Sequence, residues 1–100
     1  MSSKVIIFPE MSACLDDKNV NYVVEVKIPG VKKKKDNQLS MYEGFVVITA
    51  KRKDASYRGH LHFPLRVDSK KAEASYENGL LKITVPLKEK LAPPTKVAIK

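Results

Sequence analysis

Tyr22, Val24, Val26 and Ile28 alternate with Val23, Glu25 and Lys27, and Pro29-Gly30 follows at once. A period of two puts these four apolar side chains on one face of an extended strand. Proline cannot donate to a sheet ladder and glycine permits a turn, so the strand stops there. The pattern returns along the chain. Leu39 and Met41 share a face over residues 38–42, Glu43-Gly44 reads as a tight turn, and Val46, Ile48 and Ala50 share a face over residues 45–50. Asp54 to Ser56 reads as a polar break. Residues 57–65 then alternate, with Leu61, Phe63 and Leu65 expected inward and His60 and His62 outward. Pro64 inside that run argues for an edge strand or a bulge. Ala72, Ala74 and Tyr76 share a face over residues 72–76. Asn78-Gly79 is the strongest hairpin signal in the chain, because both residues tolerate positive φ. Leu81, Ile83 and Val85 form the next inward face, closed by Pro86. No segment carries a convincing helical period. The whole predicts an all-β fold, an immunoglobulin-like β-sandwich of two antiparallel sheets with about seven strands.

A length of 100 residues fits one such domain. Cys14 is the single cysteine, which excludes an intramolecular disulfide framework and suits the reducing cytoplasm. No apolar run approaches the ~18 residues of a membrane span, so no membrane partner is expected. Chemistry finds little to build on. His60 and His62 share a strand face, but no third ligand stands close in sequence, so they read as solvated histidines and not as a metal site. Gly44, Gly59 and Gly79 form no phosphate-cradling loop. Cys14 reads as an ordinary thiol. The expectation is a protein that is not an enzyme and has no catalytic residues, cofactor or metal. Lys and Arg number 19 against 11 Asp and Glu, a net charge of +8, and Lys32 to Lys35 stand together after Pro29-Gly30. Without an aromatic pattern for base stacking, that run reads as a solvated loop that keeps a sheet edge soluble. Weak polyanion contact is the minor reading, and no specific nucleic-acid site is expected.

The order of the pieces resembles the α-crystallin domain of small heat-shock proteins. Tyr22 to Val31 is similar to the family's early strand and its Pro-Gly stop. Glu43 to Arg52 resembles its central hairpin strand. Phe63-Pro-Leu65 and Val67-Asp68 resemble the segment that follows. Ala74-Ser-Tyr-Glu-Asn-Gly-Leu-Leu81 carries the signature turn on Ala74, Asn78, Gly79 and Leu81. Val97-Ala98-Ile99 resembles the C-terminal I-x-I motif. Two departures stand out. The N-terminal arm is about eight residues, and the short connection before Tyr57 lacks the excursion that prokaryotic and plant members swap into a partner subunit.

The resemblance implies a short arm at residues 1–8, a sandwich domain at 9–87 and a flexible C-terminal extension at 88–100. It implies that Val97 and Ile99 of one subunit dock in a groove of another, lined by Leu39, Met41, Ala74 and Leu81. The implied function is that of an ATP-independent chaperone, which binds unfolding client proteins and self-associates as a dimer or larger. Two alternatives stay open. One is a co-chaperone of the CS-domain type that binds a partner chaperone through a sheet face. The other is a basic adaptor subunit without chaperone activity.

Overall fold

The computed structural model describes residues 5–100. Its eight strands are β1 (Val5–Ile7), β2 (Glu10–Leu15), β3 (Asn21–Lys27), β4 (Asn37–Met41), β5 (Phe45–Arg52), β6 (Ala55–His62), β7 (Glu73–Glu77) and β8 (Leu80–Pro86). They form two four-stranded sheets, in the orders β1-β6-β5-β4 and β2-β3-β8-β7. Every pairing is antiparallel except β1 on β6, which is parallel. Among the described residues the helical elements are two single 3-10 turns, Lys34–Asp36 and Ser69–Lys71.

The alternation read in the sequence builds the core. Tyr22, Val24, Val26 and Ile28 from β3 and its end meet Val46, Ile48 and Ala50 from β5 and Leu81, Ile83 and Val85 from β8. Ile28, Ile48, Ile83, Val24, Val26, Val46, Val67 and Val85 are fully buried. Each such side chain contributes about 1.5–3 kcal/mol of transfer free energy, before the entropy of ordering is charged against it. Asn78 and Gly79 take φ of 47° and 83°, the left-handed pair that a two-residue hairpin needs, and they join β7 to β8. At the other predicted turn, Tyr42 N–H donates to the Phe45 carbonyl at 2.9 Å across Glu43-Gly44.

The structure departs from the sequence reading in three places. Residues 54–56 are not a break: Arg52 pairs with Ala55, so only Lys53-Asp54 turns the chain, and Ala55 is buried. The following strand ends at His62, before Pro64, which has no N–H to continue a ladder. Phe63 still turns inward, donating its N–H to Gly44 and stacking on Tyr22 with ring centroids 5.3 Å apart. Leu65, expected inward, lies beyond the strand and is 39% exposed. Finally, β1 and β2 add strands that the periodicity did not mark. Val5–Ile7 falls within the residues read as an arm; residues 1–4 of that arm lie outside the described residues.

Candidate docking flank between the two sheets

The two sheets meet at two flanks, and the flanks differ. On one, β6 lies over β2: a Cβ on Gly59 would stand 2.7 Å from Met11 Sδ and 3.1 Å from Pro9 Cγ. The sheet orders then leave β4 and β7 together at the other flank, each an edge strand with one side unpaired. Leu39 and Met41 of β4 pair with Ile48 and Val46, both in the core, so their side chains face between the sheets. Residues directly opposite on an antiparallel pair share a face. Ala74 of β7 pairs with Ile83 and Tyr76 pairs with Leu81, so both also face inward. Leu39, Met41 and Tyr76 are half-buried, whereas Ala74 faces inward and is still exposed. An inward position that remains open to solvent marks a flank that the described residues do not close.

The four residues expected to line a groove therefore divide. Leu39, Met41 and Ala74 stand on the two edge strands. Leu81 lies on β8 behind β7 and is only 4% exposed, so it forms the wall behind the groove more than its mouth. Sequence reasoning missed the role of Tyr76. Its hydroxyl donates to the Val31 carbonyl and accepts the Gly79 N–H at 3.1 Å, tying β7, the signature turn and the connection into β4 together. The signal was legible: a tyrosine on the inward face of an edge strand, two residues before Asn-Gly, must bring its hydroxyl to a partner.

The expected docking residues are not buried against their own chain. Beyond Leu87, which bridges to Val67, residues 88–100 form no regular secondary structure. Val97 is 81% exposed and Ile99 99%. The start of this tail is anchored. Leu87 N–H donates to Val20 O at 2.8 Å, and Lys88 Nζ reaches Glu43 Oε1 at 2.7 Å, with Arg66 Nη1 4.0 Å from Glu43 Oε2. The Lys88 hydrogen bond and charge, with Arg66 adding to them, hold the Glu43 carboxyl below the usual range.

Other chemistry is sparse. His60 and His62 project from β6 to solvent with rings 5.6 Å apart, and Cys14 is exposed on β2. Among the described residues no group of three or more His, Cys, Asp or Glu side chains could hold a metal ion, and no helix is long and apolar enough to cross a membrane.

Known proteins share this architecture. Heat shock protein 16.0 of Schizosaccharomyces pombe superposes with a TM-score of 0.74 at 26% identity, covering 94% of this chain and 99% of that one. HSP18.5 of E. histolytica superposes with a TM-score of 0.72 at 17% identity, over 93% and 99% of the two chains, and shares the fold. Heat shock protein 16 of S. pombe is 32% identical over 95 residues, 77% of this chain; the match spans 66% of that relative's length. The Hsp20/alpha crystallin family matches residues 15–100, which takes in β3 to β8, the signature turn and the tail motif. Of the readings the sequence left open, the match is to the small heat-shock proteins, and the chain belongs to the Hsp20/alpha crystallin family.

Proposed function

We propose that this chain is an ATP-independent chaperone that holds unfolding proteins and blocks their aggregation. It binds them along the flank between β4 and β7, and the same flank takes the tail of a neighbouring subunit. The observation that carries the reading is Ala74, which faces inward opposite Ile83 and yet stays open to solvent. Val97 and Ile99 stand one residue apart, so an extended tail presents both to one side. Burying both is worth about 3–6 kcal/mol gross, less the cost of ordering the tail. Pro93-Pro94 stiffens the approach and lowers that cost. The net is weak and reversible, as an assembly that exchanges subunits requires. An exposed apolar strand of a client competes for the same edge, by main-chain pairing and two side-chain pockets. The turn of Lys53-Asp54 leaves no length for a swapped strand, so the subunits associate by another surface. No cofactor and no catalytic group enters this action, and the reducing cytoplasm suits its single cysteine.

The test combines light scattering of a heated model client with gel filtration. Wild-type protein is expected to suppress scattering without ATP. Val97→Gly with Ile99→Gly is expected to reduce the oligomer size. Unsuppressed scattering overturns the chaperone reading. An unchanged elution volume, for an assembly larger than a dimer, overturns the role of the tail.

A further inference from the structure

The fold gathers two basic runs that lie far apart in sequence. Lys32 to Lys35 occupy the connection between β3 and β4, and Lys51, Arg52 and Lys53 close the β5–β6 hairpin. Lys32, Lys33 and Lys35 of the first run and all three residues of the second line one cleft of about 450 Å³, with Gly30 and Asp36. Residues 32–36 and 51–54 carry seven basic and two acidic side chains, five of the chain's net eight positive charges.

The cleft is built by one arginine and left charged by the lysines. Arg52 lies across Gly30, donates from Nη1 to the Pro29 carbonyl at 3.2 Å and to the Tyr57 hydroxyl at 2.8 Å, and pairs through Nε with Asp54 at 2.8 Å. Tyr57 donates to the same Pro29 carbonyl at 2.6 Å. Two residues on, the Val31 carbonyl is held by Tyr76, and Asn37 Nδ2 donates to the carbonyls of Lys33 and Lys34 at 3.2 Å each. The connection is thus fixed along its length by side chains that are not lysines. Lys32, Lys33, Lys34, Lys35, Lys51 and Lys53 are all exposed, and none forms a salt bridge among the described residues. Concentrating like charges in a concave, preorganised site raises the local potential and draws counter-ions to it.

We infer that this cleft binds a small, multiply phosphorylated anion. Lysine ammonium groups are compact point charges that meet clustered phosphates without demanding a fixed fork geometry. The lining has no aromatic ring on which a base could stack, which sets it apart from a single-strand nucleic-acid groove. It is concave, and neither run carries an exposed apolar side chain to enter a lipid surface.

Titration calorimetry with inositol hexakisphosphate as the probe tests this. One saturable site per subunit is expected, weakening as salt rises. Lys33→Gln, Lys35→Gln, Lys51→Gln and Lys53→Gln together should weaken binding at least tenfold. Lys51→Gln with Lys53→Gln alone should weaken it severalfold, and circular dichroism verifies that both variants stay folded. Removing as many charges elsewhere, by Lys18→Gln, Lys70→Gln, Lys82→Gln and Lys90→Gln, should change affinity less than twofold. The absence of saturable binding overturns the inference, as does an equal loss in the two charge-matched variants. So does binding confined to a single-stranded oligonucleotide or to vesicles containing phosphatidylserine.

Discussion

At one flank of the sandwich β6 is pressed onto β2, with Pro9 and Met11 closing over Gly59; at the other, β4 and β7 stand as bare edges around an exposed alanine. β2 at the first flank and β4 at the second alternate exposed and half-buried positions alike. The difference lies in what the chain sets against them. The first flank is covered by the residues that cross from β1 to β2, so it serves stability. Among the described residues no segment covers the second, and its apolar positions stay available to another chain. An edge strand left unpaired invites pairing with whatever strand arrives.

Three changes break or sharpen that contrast. The largest effect is expected at the closed flank. Gly59→Val pushes a branched side chain into Met11 and Pro9, which should cost about 1–3 kcal/mol in a urea melt. The cost should shrink when Met11→Ala is added, because the two side chains compete for one space. An unaltered midpoint would mean that the flank is loosely packed. Next, Ala74→Glu at the open flank should leave the melt within about 0.5 kcal/mol of wild type, since the site is exposed. The same change should abolish tail docking, seen as smaller particles in sedimentation velocity. If it unfolds the domain instead, the flank is structural and the contrast fails.

The smallest effect belongs to the turn between β2 and β3. Asp16 accepts from the Asn21 side chain at 2.9 Å, from Val20 N–H at 2.9 Å and from Asn21 N–H at 3.2 Å. The Asn21 side chain first, and the two backbone donors after it, keep its carboxyl below its ordinary value. A carboxyl lowered by folding stabilises above its unfolded pKa of about 3.9, and that stabilisation is lost as pH falls toward the folded value. The melting temperature should drop between about pH 5 and about pH 3, and Asp16→Asn should drop less, because its side chain carries no charge to lose. Parallel falls in the two proteins would remove Asp16 from the account.

The strands that alternate large apolar residues with polar ones were plain in the sequence, and β3, β5 and β8 sit where Tyr22–Ile28, Val46–Ala50 and Leu81–Val85 predict them. β2 escaped because its contrast is faint. Met11, Ala13 and Leu15 are half-buried and Glu10, Ser12 and Cys14 exposed, but Ala, Ser and Cys differ little in hydrophobicity. β1 escaped for the opposite reason: Val5-Ile6-Ile7 is apolar throughout and has no period to read. Leu65 misled because the alternation runs on past Pro64 while the ladder does not. At the candidate site, Leu39, Met41 and Ala74 could be named only through the family's order of motifs. That β4 and β7 share a flank depends on how strands far apart in sequence are ordered, which no local pattern encodes. The same holds for the meeting of Lys32–Lys35 with Lys51–Lys53.

The N-terminal crossing also sets how the domain carries load. Val5–Ile7 belongs to one sheet, Glu10–Leu15 to the other, and only Phe8-Pro9 lies between them. A pull entering from the N-terminal side reaches the three-residue parallel ladder on Ala55–Tyr57 first, and the six-residue ladder on β3 only after that has parted. The short ladder is a mechanical fuse. When it gives, the rim of β6 is laid bare while β6-β5-β4 and the second sheet stay paired, and a force ramp on a tethered molecule would register it as a small step ahead of the rupture of the sandwich.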